Sequence, residues 1–63
     1  MENKIKERRE ELGMTQSELS KKAKVARRVI SELETGKREV IMTDTILKIS
    51  KALDTTPEKI FLL

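Results

Sequence analysis

The side chains in this sequence with the greatest capacity for chemistry are its guanidinium and ammonium groups. Lys21, Lys22, Lys24, Arg27, Arg28, Lys37 and Arg38 all fall within residues 20–38, opposed there only by Glu32 and Glu34, so the segment carries +5. Residues 1–19 and 39–63 each carry −1, which places the whole excess of the chain's net +3 in the middle. A guanidinium offers its N–H donors in a rigid fork, matched to a phosphate or to the O6 and N7 acceptors of guanine. A stripe of such groups is the electrostatic footprint of a surface that follows a phosphate backbone. Taken without regard to position, the same charges would be only a solvated face.

Other chemistry is poorly provided for. The 63 residues include no Cys, His, Trp or Tyr, which removes disulfides, zinc sites, Cys or His nucleophiles and aromatic stacking platforms together. Gly13 and Gly36 are the only glycines, too few for a GxGxxG loop or a P-loop. Ser17, Ser20, Ser31 and Ser50 have no histidine to activate them, and the carboxylates are scattered. The expectation is a chain that is not an enzyme and takes no cofactor, metal or small-molecule ligand. No apolar run approaches the roughly 20 residues that a bilayer requires, and no secretory leader is evident, so a cytoplasmic location with no membrane partner is expected.

Positioning these groups requires folded elements, and the apolar content allows them. Leu, Ile, Val and Phe make up 17 of 63 residues, above the composition typical of disorder and enough for one small domain spanning 1–63. The period is helical throughout. Ile5, Arg9 and Leu12 share a face of a first helix, about residues 3–12, which stops at Gly13. Thr15 and Glu18 have the spacing of a capping box, so a second helix begins at Gln16, with Leu19 and Ala23 inward. Lys24, Val25 and Ala26 leave room for a tight turn, with Val25 able to point inward. A third helix, about 27–35, carries Val29, Ile30 and Leu33 and ends at Gly36. A fourth, about 44–53, has Thr43 and Asp44 as capping candidates and an apolar set of Ile46, Leu47, Ile49 and Leu53. Pro57 suits the first position of a short fifth helix, about 57–62, that brings Ile60 and Phe61 to the core. The class is all-α, with five short helices.

On this map the charged stripe coincides with a helix–turn–helix, and Arg27 and Arg28 occupy the first turn of its second helix. A helix entering the major groove reads base edges chiefly from its N-terminal turns. Arginines there oppose the helix dipole, so they serve no local stability, and an anionic partner would relieve the opposition.

These residues resemble a known family. The stretch Met14-Thr15-Gln16-Ser17-Glu18-Leu19-Ser20, then Val25, then Val29-Ile30-Ser31-Glu32-Leu33-Glu34-Thr35-Gly36-Lys37-Arg38, is similar to the Cro/CI or XRE class of lambda-repressor-like DNA-binding domains. Asp44 to Leu53 and Pro57 to Phe61 are also typical, so the resemblance covers nearly the whole chain. It implies a five-helix lambda-repressor-like fold with the helix–turn–helix at 16–35 and a recognition helix at about 27–35. Arg27, Arg28, Ser31 and Glu32 then stand where members contact bases. Glu32 has two readings, as an acceptor from cytosine N4 or as the partner of Arg28 four residues back. Gln16, Ser17, Lys37 and Arg38 match positions that contact the DNA backbone. Arg9 and Glu34, charged residues on apolar faces, match a buried ion pair between the first and third helices. Two positions depart from the pattern: Lys24 stands where Gly is common, and Ala26 replaces a Ser or Thr cap.

The function implied is a sequence-specific transcriptional regulator, a repressor, that binds double-stranded DNA at a palindromic operator. One recognition helix makes few base contacts, so a homodimer is expected. The resemblance places its contact near the fourth and fifth helices, at Pro57, Ile60, Phe61 and Leu63. Two alternatives stand beside this reading: an antitoxin, with a toxin as second partner, and a protein-interaction module that no longer binds DNA. Activation through contact with RNA polymerase is a further possibility for the regulator.

Overall fold

The computed structural model describes residues 2–61. Five helices follow in order: α1 (Ile5–Glu11), α2 (Gln16–Ala23), α3 (Arg27–Glu34), α4 (Thr43–Ala52) and α5 (Pro57–Phe61). No strand occurs among the described residues. The helices close around one apolar cluster formed by Ile5, Leu19, Ala23, Val25, Ile30, Leu33, Ile49, Ala52, Leu53, Ile60 and Phe61, with Met14, Val29, Ile41 and Ile46 packed against it. α2 packs on both α3 and α4, α1 packs on α3 and α5, and α5 also meets α4.

Local chemistry explains most helix ends. The capping box at the start of α2 is formed: the Glu18 N–H donates to the Thr15 hydroxyl at 3.1 Å, and the Thr15 N–H donates to the Glu18 carboxylate at 2.8 Å. These bonds hold the Glu18 carboxyl below the usual carboxylate value. α1 and α3 end in Schellman motifs, with Gly13 and Gly36 at φ +68° and +75°. The Met14 N–H donates to the Arg9 carbonyl, and the Lys37 N–H to the Glu32 carbonyl. α4 ends the same way without a glycine. Asp54 takes φ 53°, and the Thr55 N–H donates to the Ser50 carbonyl.

Three expectations need correction. Leu12 lies just past α1 as its C-cap and is 40% exposed, so Ile5 is the one apolar side chain that α1 buries. The cap of α4 is Met42, without a side-chain bond; Thr43 is already helical, and Asp44 pairs instead with Lys48 at 3.0 Å. Leu47 is 56% exposed, because at helical spacing it lies off the face that carries Ile49 and Leu53 inward.

Arg8 and Asn3 tie distant segments together. The Arg8 Nε donates to the Leu53 carbonyl at 2.9 Å and its Nη2 to the Asp54 carbonyl at 3.3 Å, placing a cation against the negative end of α4. Asn3 accepts from the Ile5 N–H and donates to the Leu33 carbonyl at 2.9 Å.

Candidate nucleic-acid interface

The site is built on α2, α3 and the three residues that join them. Lys24 adopts φ 58°, ψ 42°, the left-handed conformation that the tight reversal requires. Without a glycine, this carries a strain of about 1 kcal/mol. Val25 is buried and fixes the angle between the helices from below. The Ser20 hydroxyl donates to the Val25 carbonyl at 2.6 Å and satisfies an acceptor that the turn leaves without a helical partner. Ala26 begins α3 at φ −56°, ψ 137°, with no side-chain cap.

Behind α3 lies a polar network that locks it to α1 and α2. Arg9 donates from Nε to Glu34 Oε2 at 2.8 Å and from Nη2 to Oε1 at 3.1 Å, while its Nη1 donates to the Met14 carbonyl at 2.7 Å. The two side chains are only 11% and 3% exposed. Gln16 completes the network by donating from Nε2 to Glu34 Oε1 at 3.0 Å. Burial pushes the Glu34 carboxyl up, but the hydrogen bonds from Arg9 and Gln16, with the attraction of Arg9 and Lys6, outweigh it and hold the group below its usual value. The same hydrogen bond to Glu34 raises the Arg9 guanidinium. Gln16 is thus directed towards Glu34, and an amide with two N–H donors keeps one for an outer partner. Its link to Glu34 lies 18 residues away in sequence and carries no local signal.

The outer face of α3 presents charge. Arg27 and Arg28 are exposed, with no acidic residue in the first turn, and Ser31 is half-buried one turn on. Lys21, Lys22, Lys24 and Lys37 are exposed around them, and Ser17 is half-buried at the start of α2. Of the two readings of Glu32, the contact with Arg28 four residues back is formed, and a second arginine, Arg38, joins it. Arg28 Nε stands 3.3 Å from Glu32 Oε2, while Arg38 reaches Oε1 from Nη2 at 2.8 Å and from Nε at 3.1 Å. The hydrogen bond from Arg38 is the main cause that holds the Glu32 carboxyl below its usual value.

The fourth and fifth helices present a different surface. Ile60 and Phe61 are 1% and 4% exposed and pack in the core, as expected from the short fifth helix. Pro57 is half-buried, and Leu63 lies outside the described residues. Leu47 stands exposed beside a shallow groove of about 360 Å³, lined also by Ser50, Lys51, Asp54, Thr55 and Pro57.

Two helices joined by a three-residue turn, the second held rigidly from behind with a cationic first turn outward, define a helix–turn–helix DNA-binding domain. A model of the Helix-turn-helix family matches residues 5–60, and the chain belongs to that family, in its Cro/CI-type XRE class. It is a DNA-binding regulator of a family that is regulatory and not enzymatic. No match to a curated protein was found. Among the described residues, no helix is long and apolar enough to cross a membrane.

Proposed function

We propose that the chain represses transcription by binding a palindromic operator as a homodimer, with α3 of each copy in the major groove. The observation that carries this reading is the first turn of α3, where Arg27 and Arg28 are exposed with no acidic neighbour in the turn while Arg9, Glu34 and the core hold the helix from behind. In this arrangement Arg27, Arg28 and Ser31 meet base edges, and Gln16, Ser17, Lys37 and Arg38 hold the phosphates on either side. Repression needs only occupancy of a promoter, which charge and geometry alone can provide. Pairing follows from the small size of one recognition surface, since two helices about 34 Å apart address both halves of a palindrome. The exposed Leu47 and its groove supply an apolar patch for the second copy.

The test compares wild type with Arg27→Ala plus Arg28→Ala on a duplex selected by the wild-type protein. Two bidentate contacts at about 1–3 kcal/mol each predict a loss of at least roughly 30-fold in affinity. Retention within about threefold would remove α3 as the reading element.

A further inference from the structure

We propose that Glu32 gates the cationic face: its carboxylate holds Arg28 and Arg38 in the DNA-free protein, so that an arbitrary phosphate backbone meets fewer available charges than the sequence carries. The inference rests on the DNA-binding reading above and assigns to Glu32 a role in discrimination. Each carboxylate oxygen serves a different arginine, Oε2 facing Arg28 and Oε1 facing Arg38. The backbone arranges this convergence. The Glu32 carbonyl accepts from the Lys37 N–H at 2.9 Å and the Arg38 N–H at 3.3 Å, which folds the segment after α3 back until the Arg38 side chain reaches the carboxylate.

The two arginines are held unequally. Arg38 makes two bonds and its side chain is 37% exposed, whereas Arg28 makes one long contact and is 87% exposed. Arg28 is therefore released readily, and Arg38 only against a geometry that replaces both of its bonds. The three side chains together present +1 where two uncompensated arginines would present +2. Arg27, Lys21, Lys22, Lys24 and Lys37 form no ion pair among the described residues and supply the unspecific attraction. A matched site compensates both arginines with base and phosphate acceptors together, while a random sequence compensates one poorly. Glu32 thus lowers unspecific affinity more than specific affinity.

Glu32→Gln, the nearly isosteric neutral change, tests this on the intact chain by fluorescence anisotropy with a mixed-sequence duplex and with a selected duplex, across a salt series. One more available cation per copy predicts a log–log salt slope steeper by about one for each bound copy on the mixed duplex, since each phosphate contact contributes about 0.9. Unspecific affinity at low salt is expected to rise about 3- to 10-fold, and the ratio of specific to unspecific affinity to fall. Glu32→Ala, which makes the same charge change with a strong helix former, must shift the slope in the same direction. Adding Arg28→Gln to Glu32→Gln restores the net charge and should return the slope to its wild-type value, an effect that a purely structural role for Glu32 does not produce. Unchanged slope and affinity in both single variants, with wild type binding DNA, overturn the gate alone. Failure of wild type to bind any duplex at low salt overturns the DNA-binding reading and the gate with it.

Discussion

Arg9→Ala puts the architecture behind the recognition helix to the test. The guanidinium makes three donor contacts, two to Glu34 and one to the Met14 carbonyl, with its side chain 11% exposed. Truncation leaves the Glu34 carboxylate, 3% exposed, with the single amide of Gln16 as hydrogen-bond donor. Removing one partner of a buried pair costs about 3–5 kcal/mol, and the residual exposure of Arg9 places the expected loss near the lower end, about 3 kcal/mol. A domain of this length has a total stability of about 3–9 kcal/mol, so the variant keeps about 0–6 kcal/mol at 25 °C, a large fraction of the whole being lost. Urea denaturation followed by helical circular dichroism measures the loss. The paired change Arg9→Met plus Glu34→Leu removes both charges and should recover most of it, because the cost lies in the stranded carboxylate more than in the lost attraction. A loss below about 1 kcal/mol for Arg9→Ala, or a paired variant no better than the single one, would refute the reasoning.

Three further outcomes are expected. The Glu34 carboxyl is held below its usual value when folded, so the pair's contribution is complete above the usual carboxylate range and is lost as pH falls through the folded value; acid titration of stability should show a smaller decline for the Arg9→Met plus Glu34→Leu protein than for wild type, and equal declines would contradict this. Ala26→Ser supplies the missing cap of α3 and should add about 0.5–2 kcal/mol, while Lys24→Gly relieves the left-handed turn and should add up to about 1 kcal/mol; thermal melts that fall for both changes would show the turn geometry to be otherwise. Leu47→Asp places a charge in the exposed patch of α4 and should shift sedimentation of the protein towards monomer without lowering its melting temperature by more than a few degrees; a dimer that persists would move the contact elsewhere.

What the sequence made legible divides along sequence distance. The Thr15 and Glu18 box, the glycine stops at Gly13 and Gly36 and the inward Val25 depend on neighbours within a few residues, and each is recovered in the structure, while Lys24, marked only by the family resemblance as standing where Gly is common, takes φ 58°. The buried positions of Ile30, Leu33, Ile49 and Leu53 follow from helical period alone. Missed features depend on remote partners. Arg8 caps α4 across 45 residues, and Gln16 joins Glu34 across 18. Arg38 reaches Glu32 only because the chain reverses after Gly36, which no periodic signal records. The fourth helix shows a different failure: Thr43 and Asp44 are good caps in isolation, yet the helix starts one residue earlier, at Thr43, after Met42 without a side-chain cap. Leu47 belongs to the apolar set of α4 by residue type alone, and helical period places it off the face of Ile46, Ile49 and Leu53, where it is exposed.

The central claim is that α3 reads duplex DNA with a cationic face, in pairs. Selection of bound duplexes from a random pool by the wild-type protein, repeated at two salt concentrations, tests it most directly. The account predicts enrichment of a palindrome with half-site centres about one helical turn apart, and affinity for the enriched duplex that falls steeply with salt. Absence of any enriched motif, or binding that does not change with salt, would contradict it.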